Sequence, residues 1–210
     1  MNAQSLFNRI SPYPLFYPFW MSGSEKRFFD RYIKNAQHYL EFGIGGSTIR
    51  ALLKSKARIS SVESNPEWLA KMREYRIVKH AEQTKRLEID FIDIGKTGHI
   101  GFPANEGERD KFPDYSSRIF HENDLSGVDC VLIDGRFRVA CALQTILHCH
   151  RNPNLHMTIH DIWSRSYYHG ILKYLIEIER VDRIGVFRIR EHIDIEQLKT
   201  EYDKYKYDPR

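Results

Sequence analysis

The sequence predicts an α/β protein with a doubly wound, Rossmann-like and mostly parallel seven-stranded sheet that carries helices on both faces. Three observations predict this fold. Residues 39–42 form a short apolar stretch that runs through Gly43, Gly45 and Gly46 into a helical pattern. Further strand patterns then alternate with helical patterns along the chain, as in parallel sheets. Residues 128–134 are almost continuously apolar, which is typical of a strand buried at the centre of a parallel sheet.

Composition limits the class of protein. The 210 residues suffice for one domain with a sizeable core, and 41% hydrophobic and 29% charged residues are ordinary for a soluble globular protein. The formal charge of +4 is too small to indicate nucleic acid as a partner. No segment reaches the roughly 20 apolar residues that span a bilayer, and no signal peptide is recognisable. We therefore expect a cytoplasmic protein with no membrane span.

We expect a single domain over residues 1–210, with an N-terminal aromatic arm at 1–21, a core at 22–192 and a charged C-terminal tail at 193–210. The arm is rich in apolar residues and broken by prolines, and we expect it to be irregular. Two interpretations of the arm remain open. It packs on its own domain, or it serves as a lid over a ligand or as a contact in a homo-oligomer. The tail predicts a surface helix that frays.

The first half of the core follows the α/β pattern. Ser22 or Ser24 can cap a first helix, which precedes the first strand and the glycine turn. A crossover helix then runs to about Lys56, and Arg58–Glu63 is the predicted second strand. Asn65 and Pro66 start the next helix. The third strand covers residues 87–93 and ends in Asp93.

The second half continues the pattern after a long connection. Residues 94–126 contain several glycines and prolines and little periodicity, which predicts in part a lid facing the substrate. The strand at 128–134 is followed by a helix at 139–148, and a fifth strand at 155–159 precedes His160. Leu172, Leu175 and Ile176 then predict a helix. Residues 181–189 predict a hairpin that turns around Gly185.

The glycine turn indicates a ligand site. Glycines let the backbone approach a ligand closely, and the amides at the start of the following helix attract anionic groups. The dinucleotide-binding fingerprint requires a last glycine where this chain has Thr48. Glu41 lies two residues before the first glycine, where a carboxylate would repel a pyrophosphate and suit a cation.

The pattern acidic-x-Gly-x-Gly resembles motif I of the class I S-adenosylmethionine-dependent methyltransferases, and the likeness covers roughly residues 24–190. The resemblance implies S-adenosyl-L-methionine as the cofactor. It implies that Glu63, 22 residues after Glu41, holds the cofactor ribose and that Asp93 contacts the adenine, although Asp at a strand end is also common in turns. The residues it assigns to cofactor binding are Glu41, Gly43, Gly45, Gly46, Glu63 and Asp93.

The segment after the fourth strand, Asp134-Gly-Arg-Phe-Arg, is similar to that of a little-characterised bacterial methyltransferase-like group. Enzymes of the superfamily that methylate nucleic-acid bases usually carry an (Asp/Asn)-Pro-Pro-(Tyr/Phe) run there, so base methylation loses support. The metal-dependent O-methyltransferases place acids after the fourth and fifth strands. This chain has Asp134 and then His160-Asp161, but the lysine base of those enzymes has no match.

We therefore expect His160, Asp134 and Asp161 to be catalytic. In one interpretation His160 is the general base, because its pKa lies near working pH. In the other, which we favour less, the three residues hold a divalent metal. Two further arginines near these strand ends, Arg136 and Arg138, are expected to clamp a carboxylate or phosphate of the acceptor. Arg165 follows the fifth strand and is expected to act with them.

The predicted function is methyl transfer from S-adenosylmethionine to an oxygen or nitrogen of a small or saccharide-like acceptor. Two alternatives remain. One is a Rossmann enzyme that binds NAD or a nucleotide sugar, against which Thr48 and Glu41 both argue. The other is a non-catalytic binding protein with the methyltransferase fold.

Overall fold

A computed structural model describes residues 3–210 of the chain, with side chains from residue 6 onward. Within it, seven strands form one sheet. They are β1 His38–Phe42, β2 Arg58–Glu63, β3 Leu87–Phe91, β4 Cys130–Ile133, β5 His156–Ile159, β6 Leu175–Val181 and β7 Ile184–Ile189. Their order across the sheet is β3-β2-β1-β4-β5-β7-β6.

The first five strands are parallel, and the last two form an antiparallel hairpin at one edge. β7 pairs antiparallel with both β5 and β6. The order reverses between β1 and β4, which pair in parallel. The predicted α/β fold is thus confirmed. A reversal of strand order opens a crevice at the carboxyl ends of the strands, where such folds bind their ligands.

Helices cover both faces of the sheet. They are α1 Ala3–Ile10, α2 Gly23–Ile33, α3 Gly46–Lys54, α4 Pro66–Met72, α5 Arg76–Gln83, α6 Asp114–Glu122, α7 Arg138–Cys149 and α8 Ile195–Tyr205. Successive residues of β1 point to opposite faces. Tyr39 joins the apolar cluster that contains residues of α2, α3 and α5, whereas Leu40 and Phe42 join the cluster under α6, α7 and α8. No helix within residues 3–210 is long and apolar enough to cross a bilayer.

The segment after β5 differs from the predicted helix. Residues Ser166–Tyr174 form a 3₁₀ helix, and Leu175 begins strand β6. Pairing with β7 decides this conformation, and the period-two alternation of Ile and Glu in β6 accommodates it. The hairpin turns at Asp182, which has a φ of 49°, and not at Gly185. Gly185 lies inside β7, where an added Cβ would lie 2.5 Å from the ring of Phe187 and 3.2 Å from Trp163.

The two ends of the chain are more ordered than the sequence predicted. The arm begins with α1, although it was expected to be irregular. In the tail, α8 packs against α7, with Leu198 buried and Tyr202 and Tyr205 against the same core. These contacts, rather than helix propensity, hold the tail in place.

Candidate functional site

A cavity of about 460 Å³ lies at the carboxyl ends of β1, β2, β4 and β5. Its walls come from the glycine turn after β1, from the starts of α4 and α7, from the connection after β3 and from the aromatic arm. The charged and aromatic residues that line it are Phe19, Trp20, Glu63, Glu67, Trp68, Lys71, Tyr115, Asp134, Arg136, Arg138, His160, Asp161, Arg165 and Arg183.

The three glycines of the turn have different roles. Gly43 has a φ of 99°, and a Cβ there would lie 2.8 Å from the Cα of Gly135. A Cβ on Gly46 would clash with the backbone of Pro18 and Phe19. Both glycines are therefore required for packing. A Cβ on Gly45 would meet nothing within 4 Å, so the backbone at Gly45 is open to the cavity and can be approached by a ligand.

Glu41 lies behind the glycine turn. It is fully buried, does not line the cavity, and accepts hydrogen bonds from the hydroxyls of Tyr39, Ser47, Thr48 and Ser61. Burial raises its pKa to about 7. The Thr48 hydroxyl also accepts a bond from the Gly45 amide at 2.8 Å, which explains the threonine at the last fingerprint position. The carboxylate predicted to face a cationic ligand instead fixes the shape of the turn, because the four hydroxyls occupy it.

The other two predicted cofactor carboxylates differ in their access to the cavity. Glu63 ends β2, lines the cavity and is 7% exposed; its Oε1 accepts from the amides of Ser64 and Asn65, both at 2.7 Å. Burial raises the pKa of Glu63 to about 7. The side chain of Asp93 is 68% exposed, does not line the cavity and accepts from the Gly95 amide at 2.9 Å. Asp93 thus shapes a turn, and its adenine contact stays a prediction.

Asp134 and His160 meet at the cavity wall. His160 Nδ1 lies 3.0 Å from Asp134 Oδ1, and His160 Nε2 lies 3.6 Å from Glu25 Oε2. Asp134 is the more accessible partner, since its side chain is 29% exposed and that of His160 only 5%. Neither ring nitrogen makes a well-oriented hydrogen bond to the part of the chain described. Catalytic hydrogen bonds are often poorly aligned before substrate binds, so this geometry fits an acid–base pair.

Charge around the pair shifts both pKa values. Burial disfavours the charged form of His160, but the carboxylates of Asp134 and Asp161 outweigh this effect and raise the pKa of the histidine. Burial likewise opposes ionisation of Asp134, but the positive charges of His160 and Arg138 outweigh it and lower the pKa of that carboxyl. Asp134 is therefore ionised at neutral pH, and His160 titrates at a higher pH than a free histidine.

Asp161 is held by three arginines. Its Oδ2 lies 3.2 Å from both Arg138 Nη1 and Arg165 Nη2, and its Oδ1 lies 2.9 Å from Arg183 Nη1. The residue is 5% exposed and has a left-handed φ of 60°. Such a conformation persists where surrounding contacts fix it, as these ion pairs do.

The three arginines that were predicted to clamp the acceptor have different partners in the structure. Arg138 is buried and donates to the carbonyl oxygens of Gly135, His160 and Asp134 at 2.8–3.0 Å, so it links the ends of β4 and β5. Arg165 pairs with Asp161 and donates to the Tyr167 hydroxyl.

Arg136, the third arginine of the predicted clamp, is buried against an aromatic ring. It is 8% exposed and lies over the ring of Phe102, with 4.2 Å from its guanidinium carbon to the ring centroid.

A metal site of the predicted composition does not form within residues 6–210, where no group of three His, Cys, Asp or Glu side chains is arranged to hold an ion. The guanidinium of Arg138 lies between Asp134 and Asp161 and contacts both. Its positive charge occupies the position that a divalent cation would need.

Sequence reasoning missed Glu25 and Arg183. Glu25 is fully buried and forms the capping box of α2 with Ser22, and a Ser-x-x-Glu pattern is visible in the sequence. Its contact with Arg183 Nη2 at 3.3 Å joins residues 158 positions apart, and no local pattern could have shown this contact.

The aromatic arm packs on its own domain and also covers part of the cavity. Trp20 stacks on Trp68 with 5.6 Å between ring centroids, and Trp68 donates to the Ile44 carbonyl at 2.7 Å. Pro18 and Phe19 line the same wall. Both the packing and the lid interpretation fit this position. Oligomerisation through the arm stays a prediction.

Comparison with known proteins identifies the fold. No protein-family model and no curated protein matches the chain. A solved structure of a methyltransferase-like protein (spo2022) from Silicibacter pomeroyi DSS-3 is 25% identical, with a TM-score of 0.79 over 92% of this chain and 98% of that chain. The SAH-bound methyltransferase PaMTH1 from Podospora anserina is 15% identical, with a TM-score of 0.53 over 81% of this chain and 80% of that chain. An O-methyltransferase from Bacillus cereus in complex with SAH is 16% identical, with a TM-score of 0.50 over 81% and 82%.

Proposed function

We propose that this chain, which has the fold of the class I methyltransferases, binds S-adenosylmethionine and transfers its methyl group to an oxygen or nitrogen of a small or saccharide-like acceptor. One observation carries the proposal. A single cavity joins the open backbone at Gly45, the carboxylate of Glu63 and the Asp134–His160 pair. The first two suit a nucleoside cofactor, and the third suits removal of a proton from the acceptor.

The residues present fit the cofactor. Gly45 offers backbone without a side chain to obstruct a ligand, and Glu63 offers a carboxylate to hydroxyl donors at the position where this fold contacts ribose. Glu41 acts indirectly, because its four hydroxyl partners fix the turn. When bound, the cofactor supplies a methyl group activated by a sulfonium. Support also comes from the two SAH-bound methyltransferases that share the fold.

The chain's own residues must align the acceptor and accept its proton, since the methyl group arrives already activated. Asp134 has the better access to the cavity and accepts a hydrogen bond from the acceptor's hydroxyl or amine. Neutral His160 behind it takes up the proton that the acceptor loses. Arg138 keeps the two side chains in register by binding the backbone at the ends of both strands.

The cofactor assignment is tested by thermal unfolding with S-adenosylhomocysteine and, separately, with NAD. A ligand that binds only the folded state adds about 2.7 kcal/mol of stability at 100 times its dissociation constant. We expect S-adenosylhomocysteine to raise the melting temperature and NAD to leave it unchanged. A shift with NAD alone would instead support the dinucleotide alternative, and a flat response to millimolar S-adenosylhomocysteine would refute the proposal.

The role of Glu63 predicts a pH dependence of cofactor binding. Ribose hydroxyls donate to the ionised carboxylate, whose pKa is about 7 in the folded protein. Affinity for S-adenosylhomocysteine should therefore increase between pH 6 and pH 8. Glu63→Gln should weaken binding at pH 8 by roughly 1.5–3 kcal/mol, the scale of hydrogen bonds to a charged group, and flatten the pH profile.

Calorimetric titration at several pH values measures both effects, with Glu88→Gln in the edge strand β3, which does not line the cavity, as the control. The same raised pKa makes ionisation of Glu63 unfavourable to folding. Without ligand, the wild-type protein should thus lose stability as the pH rises from about 4.5, the ordinary pKa of a glutamate, to about 7, and Glu63→Gln should lose less. Equal affinities of the wild type and Glu63→Gln at pH 8 would exclude the ribose contact.

A further inference from the structure

Four arginines line the cavity, and one of them, Arg136, has no carboxylate partner among residues 6–210. Arg138, Arg165 and Arg183 each contact the carboxylate of Asp161, and Arg183 also contacts Glu25. Arg136 forms no ion pair with any carboxylate in residues 6–210, and its Nη1 is buried without a hydrogen-bond partner there. The guanidinium of Arg136 therefore has a buried hydrogen-bond donor that no described residue uses.

The surroundings of Arg136 make an unpaired charge costly. The side chain is 8% exposed, and the neighbouring Arg138 repels it. Two acids of the cavity wall, Asp134 and Glu63, are engaged elsewhere. Asp134 contacts His160 and Arg138, and Glu63 accepts from two backbone amides. A buried charge without a partner destabilises a protein unless a ligand supplies the opposite charge.

The ring of Phe102 holds the guanidinium in place. Phe102 belongs to the connection after β3, whose residues Ile100 and Gly101 also line the cavity. An arginine stacked on an aromatic ring keeps its edge free to make paired hydrogen bonds with a planar oxyanion. Arg136 lines the same cavity as Asp134, which is the proposed contact of the acceptor.

We propose that Arg136 binds an oxyanion of the acceptor, either a carboxylate or a phosphate, and that the acceptor is therefore an acidic small molecule. This inference rests on the proposed function and specifies its substrate class. The oxyanion neutralises the buried guanidinium, and the fork of Arg136 orients the acceptor relative to Asp134. Arg138 does not share this role, because its donors are bound to protein oxygen atoms.

The first part of the test compares the stability of two variants without ligand. Arg136→Gln removes an unpaired charge and should melt at the same temperature as the wild type or above it. Arg138→Gln removes a paired one and should melt at a lower temperature. A large loss of stability in Arg136→Gln would show a structural role and overturn the proposal. Arg136→Lys keeps the positive charge but lacks the paired N–H donors of the guanidinium, and it supplies a second variant for the binding measurements.

The second part titrates inorganic phosphate and acetate into the protein, with and without saturating S-adenosylhomocysteine. The wild type should bind at least one of the two probes, and comparison of the two separates a phosphate from a carboxylate preference. Arg136→Gln should weaken this binding roughly 10- to 100-fold, and Arg136→Lys should recover part of the loss. The exposed Arg151→Gln, which removes the same charge far from the cavity, should bind as the wild type does.

Saturation with S-adenosylhomocysteine decides which ligand the site serves. Binding of the probe alongside S-adenosylhomocysteine supports an acceptor site. Competition between them would assign Arg136 to the carboxylate of the cofactor and overturn the proposal, as would the failure of both probes to bind the wild type. The titration of S-adenosylhomocysteine alone tests the proposed function separately, so the two failures are distinguishable.

Discussion

Replacing Asp134 with asparagine is expected to lower the rate of methyl transfer by about 100-fold or more and to leave the affinity for S-adenosylhomocysteine unchanged. A positioned acid–base group typically contributes at least this factor. Asparagine keeps the shape of the side chain but removes the negative charge that lies 3.0 Å from His160 Nδ1. The measurement is transfer of a labelled methyl group from S-adenosylmethionine to a panel of hydroxyl- and amine-bearing acids.

The pH profile of the wild type identifies the proton acceptor. Neutral His160 is the form that accepts a proton, so activity should fall as pH decreases through its pKa, which the neighbouring carboxylates raise above the usual value. In Asp134→Asn that pKa should fall, because the nearest negative charge is gone. Titration of the imidazole by NMR detects this change without an acceptor. His160→Ala should lose activity to a similar extent.

A chelator separates the base interpretation from the metal interpretation. If the pair acts as a base, a chelator leaves transfer unchanged, whereas dependence on added divalent ion would favour the metal. Asp203→Asn on the exposed face of α8 is the matched control and should retain full activity. Full activity in a folded Asp134→Asn variant would exclude both interpretations.

The sequence predicted β2 with its bounds, and β1, β4 and β5 to within two residues, because buried parallel strands are short apolar runs between polar turns. It misplaced the start of β6. Leu172, Leu175 and Ile176 have the spacing of a helix face, but pairing with β7 decides the conformation of the last two. Gly185 looked like a turn residue, yet its lack of a side chain leaves room for the ring of Phe187, which an added Cβ would meet at 2.5 Å. Tertiary contacts override local pattern at both positions.

In the candidate site, too, the positions of residues at strand ends could be predicted, whereas their tertiary contacts could not. Glu63, Asp134 and His160 reach the cavity because each ends a parallel strand or follows one directly, and this position can be predicted from the strand pattern. The partners of these residues could not be predicted. Whether a carboxylate faces the cavity, as Glu63 does, or faces four hydroxyls, as Glu41 does, depends on side chains from other elements. The pairing of Glu25 with Arg183 depends on the hairpin that follows β5.

Replacing Arg138 with leucine is expected to lower the free energy of unfolding by about 3–5 kcal/mol, which is the usual cost of removing one partner from a buried ion pair. Arg138 is 4% exposed, contacts the carboxylates of Asp134 and Asp161 and donates to three backbone carbonyls. Leucine leaves these buried acceptors without that donor. For a chain of this size the loss corresponds to a fall of roughly 6–20 °C in melting temperature.

Arg165→Leu provides the matched control, because Arg165 contacts the same carboxylate but its side chain is 36% exposed. Its loss should cost about 1 kcal/mol or less. Combining Arg138→Leu with Asp161→Asn should cost less than the sum of the two single changes, since each removes the partner that the other leaves behind. Strict additivity would show that the two side chains act independently. Coupling would mean that Arg138 and Asp161, which join the ends of β4 and β5, stabilise the fold as a pair.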